Sequence, residues 1–233
     1  MLTDSFQNDI KFFHKLLMEK TPFGLSRFGD GERGIIEGKP IGNSEFQYKG
    51  NNEFIRKELT YSFQLNFPNY YVGIPCPCCQ PKERCEYMKK LSNLPYDKLT
   101  WANIFVNHNF KYFNDKIVPS LNDYEFIFFV GHGKPDNLPF RVDKFYYVDK
   151  NAHINNVYLL DEIPKMIKEN EINNGLFLIS AGPFANILTA RLYESHPSNT
   201  FIDVGSVFDV YQGLGKTRGY HQNGQTINKI CIW

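Results

Sequence analysis

Four short, largely apolar runs constrain this chain more than any other feature: residues 70–74, 125–130, 175–180 and 200–204. A strand with one face in water alternates apolar and polar side chains, whereas a strand covered on both faces has no need to. Residues 23–28, 100–106 and 145–148 supply three further candidate strands. Between them lie helical patterns. Ile10, Phe13, Leu16 and Leu17 recur at helical spacing after a capping Asp4 or Ser5, and Thr21-Pro22 ends that helix. Further helices are predicted over 52–65, 160–170 and 184–194. Buried strands alternating with helices imply a Rossmann-like α/β fold, its mostly parallel sheet covered on both faces.

The 233 residues suit one large domain. No repeat, low-complexity tract or dividing linker interrupts them, so 1–233 is expected to be a single domain. From Gly213 onward (213–233) the tail is polar and glycine-rich, which predicts a loop or a flap on the substrate side. Twenty-six basic against 25 acidic residues leave a net charge of +1, no electrostatic footprint for nucleic acid. The first twenty residues lack the apolar stretch and cleavage site of a signal peptide. No window approaches eighteen apolar residues, so no transmembrane segment is expected and a cytoplasmic location is.

Two turns carry candidate chemistry. After the first strand come Gly29-Asp30-Gly31-Glu32, where the glycines let the backbone bend and bring both carboxylates toward one point. Hard oxygen ligands suit Mg2+ or Mn2+, ions that also bridge diphosphate oxygens and neutralise a leaving group. An ordinary charged surface turn has the same composition; position at the carboxyl end of a strand favours the ligand-binding reading. Arg27 is placed either to contact phosphate or to pair with a carboxylate. The second turn, Ser180-Ala181-Gly182-Pro183, joins a strand to a helix. Its small residues and the helix amino terminus suit phosphate, with close strand–helix packing as the alternative. Gly131-His132-Gly133 closes a neighbouring strand and either approaches the same nucleotide or holds a structural histidine.

In combination these segments resemble the bacterial GT-D-type glycosyltransferases. The similarity begins at residues 26–32, which look like that family's D-x-E segment, and continues through 73–75, 177–183 and 201–205. The resemblance implies a GT-D-like sheet, a UDP-sugar donor and a divalent metal, usually manganese, held through Asp30 and Glu32. It also implies work on surface polysaccharide or glycoprotein glycans. The chain departs from the family after Gly205, where a His and an acidic run give way to residues 206–211 with Asp209 as the one acid. For transfer, an acceptor hydroxyl needs a base. Asp209 is the first candidate, with Asp203 and His221 behind it; Asp203 reads better as a hydrogen-bond anchor. Arg218 is a candidate for phosphate or an acidic sugar. A non-catalytic nucleotide-sugar or glycan-binding domain is the alternative to an enzyme. Another phosphate-handling enzyme is disfavoured, because neither a phosphate loop nor a nucleophile elbow is present.

Cys76, Cys78, Cys79 and Cys85 place four thiols within ten residues. Zinc, a disulfide and buried unpaired thiols are the three readings. Cys231 lies far away in sequence and carries no signal of its own.

Overall fold

The computed structural model describes residues 5–221 and 231. Seven parallel strands form the sheet, in the order β5 (Leu99–Trp101), β4 (Tyr70–Ile74), β1 (Gly24–Arg27), β9 (Thr200–Asp203), β8 (Leu176–Ser180), β6 (Ile127–Gly131) and β7 (Lys144–Tyr147). A two-stranded hairpin, β2 (Ile41–Gly42) and β3 (Gln47–Tyr48), stands apart from it. The chain moves outward from β1 to β5 on one side and occupies β6 to β9 on the other. The switch between halves falls where β1 meets β9, the place at which open parallel sheets bind ligands.

The apolar runs become strands because both faces are covered. Alternate residues of β8 enter different cores: Phe177 and Ile179 face one, Leu176 and Leu178 the other. On the first face α3 (Glu53–Gln64), α8 (Leu159–Glu169) and α9 (Pro183–Ser195) contribute Leu59, Phe63, Ile163, Leu188 and Leu192. There Phe128, Phe177 and Phe201 sit in register on β6, β8 and β9, with ring centroids 4.4 and 4.6 Å apart. On the second face α1 (Phe6–Met18) packs Ile10, Phe13 and Leu17. It is joined by a winding segment comprising α5 (Phe110–Tyr112), a π-turn and α6 (Val118–Ser120).

The predicted elements are present with adjusted ends. Ser5 caps α1 through its side chain, accepting from Asn8 N. The strand expected over 100–106 stops at Trp101: Ala102 N still bonds Ile74 O of β4, and Ile104 N then turns back onto Trp101 O. The larger difference concerns Asp30 to Glu32. These residues do not form a bend; they are the first turn of α2 (Asp30–Ile36), with Gly29 as its N-cap. The remaining helices are α4 (Lys82–Ser92) and α7 (Ala152–Asn155). The expected flap is described as far as His221 and at Cys231; residues 222–230 and 232–233 lie outside the described part. No described helix is long and apolar enough to cross a membrane.

Candidate functional site

Because the strands are parallel, their carboxyl ends gather on one edge and so do the loops that follow. Those of β1, β6, β7, β8 and β9 enclose a cavity of about 710 Å³, within the range usual for small-molecule sites. The hairpin closes it from above. Asn151, in left-handed conformation at φ 56°, accepts from Gln47 N at 2.6 Å and donates its own N–H to Glu45 O at 2.9 Å. This holds Ser44, Glu45 and Phe46 over the strand ends.

At the floor, Arg27 and Asp203 join β1 to β9. Arg27 Nε donates to Asp203 O at 2.6 Å, Nη1 to Ala102 O at 2.9 Å, and Nη2 approaches Asp203 Oδ1 at 3.4 Å. Asp203 also accepts from the amides of Arg27 and Gly205. Its carboxyl is nonetheless raised above the usual aspartate range, since burial outweighs the guanidinium. Of the two roles open to Arg27, pairing is the one seen, with Asp203 rather than with Asp30 or Glu32. Asp203 is an anchor.

Asp30 and Glu32 both line the cavity, yet each is committed to its own partner. Two residues apart on a helix, side chains point to different sides. Asp30, exposed, accepts from Gln80 Nε2 at 2.9 Å and pairs with Arg84 at 3.4 Å. Glu32 reaches back to Gly29 N at 2.8 Å. Burial raises its carboxyl to about 7, with the neighbouring Asp203 charge adding to that. These are hard oxygen donors beside a cavity. Asp30 already holds a cation in Arg84. Hard oxygen donors lining one cavity have the chemistry a divalent metal takes, but they do not converge as the sequence led us to expect: Asp30 is turned onto Arg84 and would have to leave that pair to share an ion with Glu32.

In the loop after β9, Asp209 lines the same cavity and is buried, its Oδ2 accepting from Thr217 Oγ1 at 2.5 Å. Desolvation raises it to about 6, where a carboxylate is a far better base than in water. Arg218 lies beside it and pairs with Glu45 of the hairpin at 3.0 Å. At the end of β8, Ala181 and Gly182 present the amino terminus of α9 to the cavity. Gly182 adopts φ 55° and ψ −141°, a conformation open essentially to glycine alone. His132 lines the wall too, with Nδ1–H donating to Val148 O at 3.0 Å.

Gly29, Arg27, His132, Ala181, Gly182, Arg218 and Asp209 thus share one cavity with Asp30 and Glu32. Gly131 and Pro183 are not among its lining residues. His221 is absent from it as well: its ring packs on Phe110 and Tyr220, and burial lowers its pKa. Thr217, Glu45, Gln80 and Arg84 were not singled out from sequence. No motif marks them: Glu45, Gln80 and Arg84 meet partners distant in the chain, and Thr217 meets Asp209 within a loop that has no repeating spacing.

The cysteines are regrouped. Cys85 is buried on α4 and takes no part. Cys231 enters instead, its Sγ 3.4 Å from Cys76 Sγ and 3.6 Å from Cys79 Sγ, with Cys78 in the same group.

No family model and no curated protein matches the sequence. Solved structures do match. One is described by the statement that the highly conserved domain of unknown function 1792 has a distinct glycosyltransferase fold. It aligns with a TM-score of 0.57 and 20% identity, over 88% of this chain and 79% of that one. A selenomethionine-substituted structure of domain of unknown function 1792 aligns with a TM-score of 0.60 and 19% identity over the same shares. The fold implied by the resemblance at residues 26–32 is borne out: this chain has the distinct glycosyltransferase fold described for domain of unknown function 1792.

Proposed function

We propose that this chain is a divalent-metal-dependent glycosyltransferase, one catalytic domain that moves a sugar from a nucleoside diphosphate, UDP in the first instance, to a hydroxyl of a glycan or glycoprotein. The observation that carries the proposal is Asp209. A buried carboxylate raised to about 6 faces the same cavity as the α9 amino terminus and the acidic start of α2.

The roles divide by wall. Ala181 and Gly182 at the start of α9 receive diphosphate oxygens, because unpaired amides and the helix dipole favour an anion there. Asp30 and Glu32 are the residues that would hold Mn2+ or Mg2+, which when bound offsets the charge gathering on the leaving diphosphate. Asp209 takes the proton of the acceptor hydroxyl as its oxygen attacks the anomeric carbon. The bond from that carbon to the diphosphate oxygen breaks, and the electron pair leaves with the nucleotide. Arg218, now paired with Glu45, is available to an acidic group on donor or acceptor if the hairpin lifts. The Arg27–Asp203 pair keeps β1 and β9 in place beneath.

The test is a panel of nucleotide-sugars assayed for release of nucleoside diphosphate, with manganese and with chelator. The expected result is metal-dependent turnover of one donor class, abolished by Asp209→Asn, while UDP still binds by calorimetry. Metal-independent binding without turnover of any donor would show a binding domain instead.

A further inference from the structure

We propose that Cys76, Cys79, Cys231 and Cys78 form a tetrathiolate zinc site that ties a distant part of the chain to the loop after β4.

The sequence spacing conceals a familiar element. Cys76 and Cys79 are separated by two residues, the separation of a zinc knuckle, with Pro77 and Cys78 between them. The loop is folded as a knuckle would be: Cys76 O accepts from both Cys79 N and Gln80 N at 3.1 Å. Cys231 completes the constellation from more than 150 residues away. Its Sγ lies 3.4 Å from that of Cys76 and 3.6 Å from that of Cys79. The sulfurs of Cys76, Cys78 and Cys231 all fall within 4.8 Å of one another.

Those separations discriminate between the chemistries. A disulfide would bring two sulfurs to about 2.05 Å and leave the others out. A zinc–thiolate bond of about 2.3 Å sets tetrahedral sulfur–sulfur edges of about 3.8 Å. The two spacings from Cys231 approach that edge and link it to two partners at once, while Cys79, outside the 4.8 Å group of Cys76, Cys78 and Cys231, has to draw in toward Cys78 to close the tetrahedron. The surroundings suit thiolates. Asn103 Nδ2 lies 3.0 Å from Cys231 Sγ, 3.3 Å from Cys76 Sγ and 3.5 Å from Cys79 Sγ, while Asn107 Nδ2 lies 3.6 Å from both Cys79 and Cys231. Side-chain amides gathered on sulfur stabilise negative charge there, as outer-shell donors to metal thiolates do. Binding Zn2+ releases the thiol protons to solvent.

The position matters for function. Cys76 and Cys79 line a second cavity of about 290 Å³ that shares Arg27, Gly29 and Asp30 with the first. A metal there would be structural, closed by four sulfurs, and would hold the wall behind Asp30.

The experiment measures metal in the full chain, with no nucleotide and no manganese. Protein purified without chelator from zinc-supplemented medium is analysed for metal by mass spectrometry, and its five cysteines are titrated under denaturing conditions. One zinc per chain is expected, removable by strong chelator. Cobalt added to the stripped protein should show a thiolate charge-transfer band and the visible bands of a tetrahedral site. Cys231→Ser and Cys76→Ser should weaken zinc binding by roughly tenfold or more, and Cys85→Ser and Asp30→Asn should leave it intact. Wild-type protein with far less than one zinc, a disulfide at Cys231, an octahedral cobalt spectrum, or equal loss in Cys85→Ser would each overturn the proposal. The wild-type metal content and cobalt spectrum do not depend on any variant folding. They are also independent of donor turnover, so the zinc site and the transferase reading stand or fall separately.

Discussion

The guanidinium of Arg84, on α4, lies 3.4 Å from Asp30 Oδ1 at the start of α2, and Gln80 donates to the other oxygen at 2.9 Å. A cationic side chain thus sits on the carboxylate assigned to the metal. Both partners are substantially exposed, and such pairs contribute about 0–1 kcal/mol. Replacing Arg84 with Met should therefore tighten manganese binding by no more than about fivefold, while Asp30→Asn should abolish manganese-dependent UDP affinity. Calorimetry of the three proteins checks both. Weaker manganese binding in Arg84→Met would show that Arg84 supports the site rather than competing for it.

Asp209 makes the pH dependence of transfer predictable. Burial raises its carboxyl to about 6, and the hydroxyl of Thr217 works against that rise. Activity should increase with pH through about 6 as the base form appears. Thr217→Val removes the hydroxyl and should move that limb upward, with UDP affinity unchanged. An unmoved limb would assign the titration to another group.

Glu32 bears on stability in the opposite sense from a salt-bridged acid. Burial holds its native carboxyl up at about 7, well above the ordinary glutamate range of about 4.3. Between those values the native state binds more protons than the unfolded one, so this group's contribution is present at low pH and lost as pH rises through about 7. Glu32→Gln should keep the bond from Gly29 N and flatten that decline, with a gain of about 1–3 kcal/mol above neutrality. Urea melts at pH 5 and pH 8 measure it. Equal effects of the substitution at both pH values would contradict a protonated Glu32.

Gly205 is required by both its backbone and its neighbour. Its φ is 53°, and a Cβ there would lie 2.0 Å from Arg27 Nη2. Gly205→Ala should displace the guanidinium from Asp203 and cost about 2–4 kcal/mol, from backbone strain and a weakened buried ion pair. A shift of less than about 0.5 kcal/mol in a denaturant melt would show that Arg27 moves aside freely.

The stacked rings of Phe128, Phe177 and Phe201 make a tightly packed point of the core. Phe177 is fully buried between the other two, so Phe177→Ala should cost about 3–5 kcal/mol, and Phe177→Leu markedly less. Thermal and urea denaturation report the difference.

What the sequence determined by itself was the sheet. Strands covered on both faces, such as 176–180, carry their condition in their own composition, and the helices between them carry theirs in the spacing of residues such as Ile10, Phe13 and Leu17. Asp30, Glu32, Gly182 and Asp209 were legible as candidates because ligands gather at the carboxyl ends of parallel strands. Local chemistry did not reveal which conformation or partner each would take. Glycines 29 and 31 suggested a bend, but the reach of Glu32 to Gly29 N caps a helix instead and turns the two acids apart. Only tertiary structure decided that Arg27 serves Asp203, that Arg84 covers Asp30, and that Cys231 replaces Cys85 beside Cys76. Each of those contacts joins residues more than fifty positions apart, and a hydrogen bond or thiol contact across such a distance leaves no periodicity for a sequence to show.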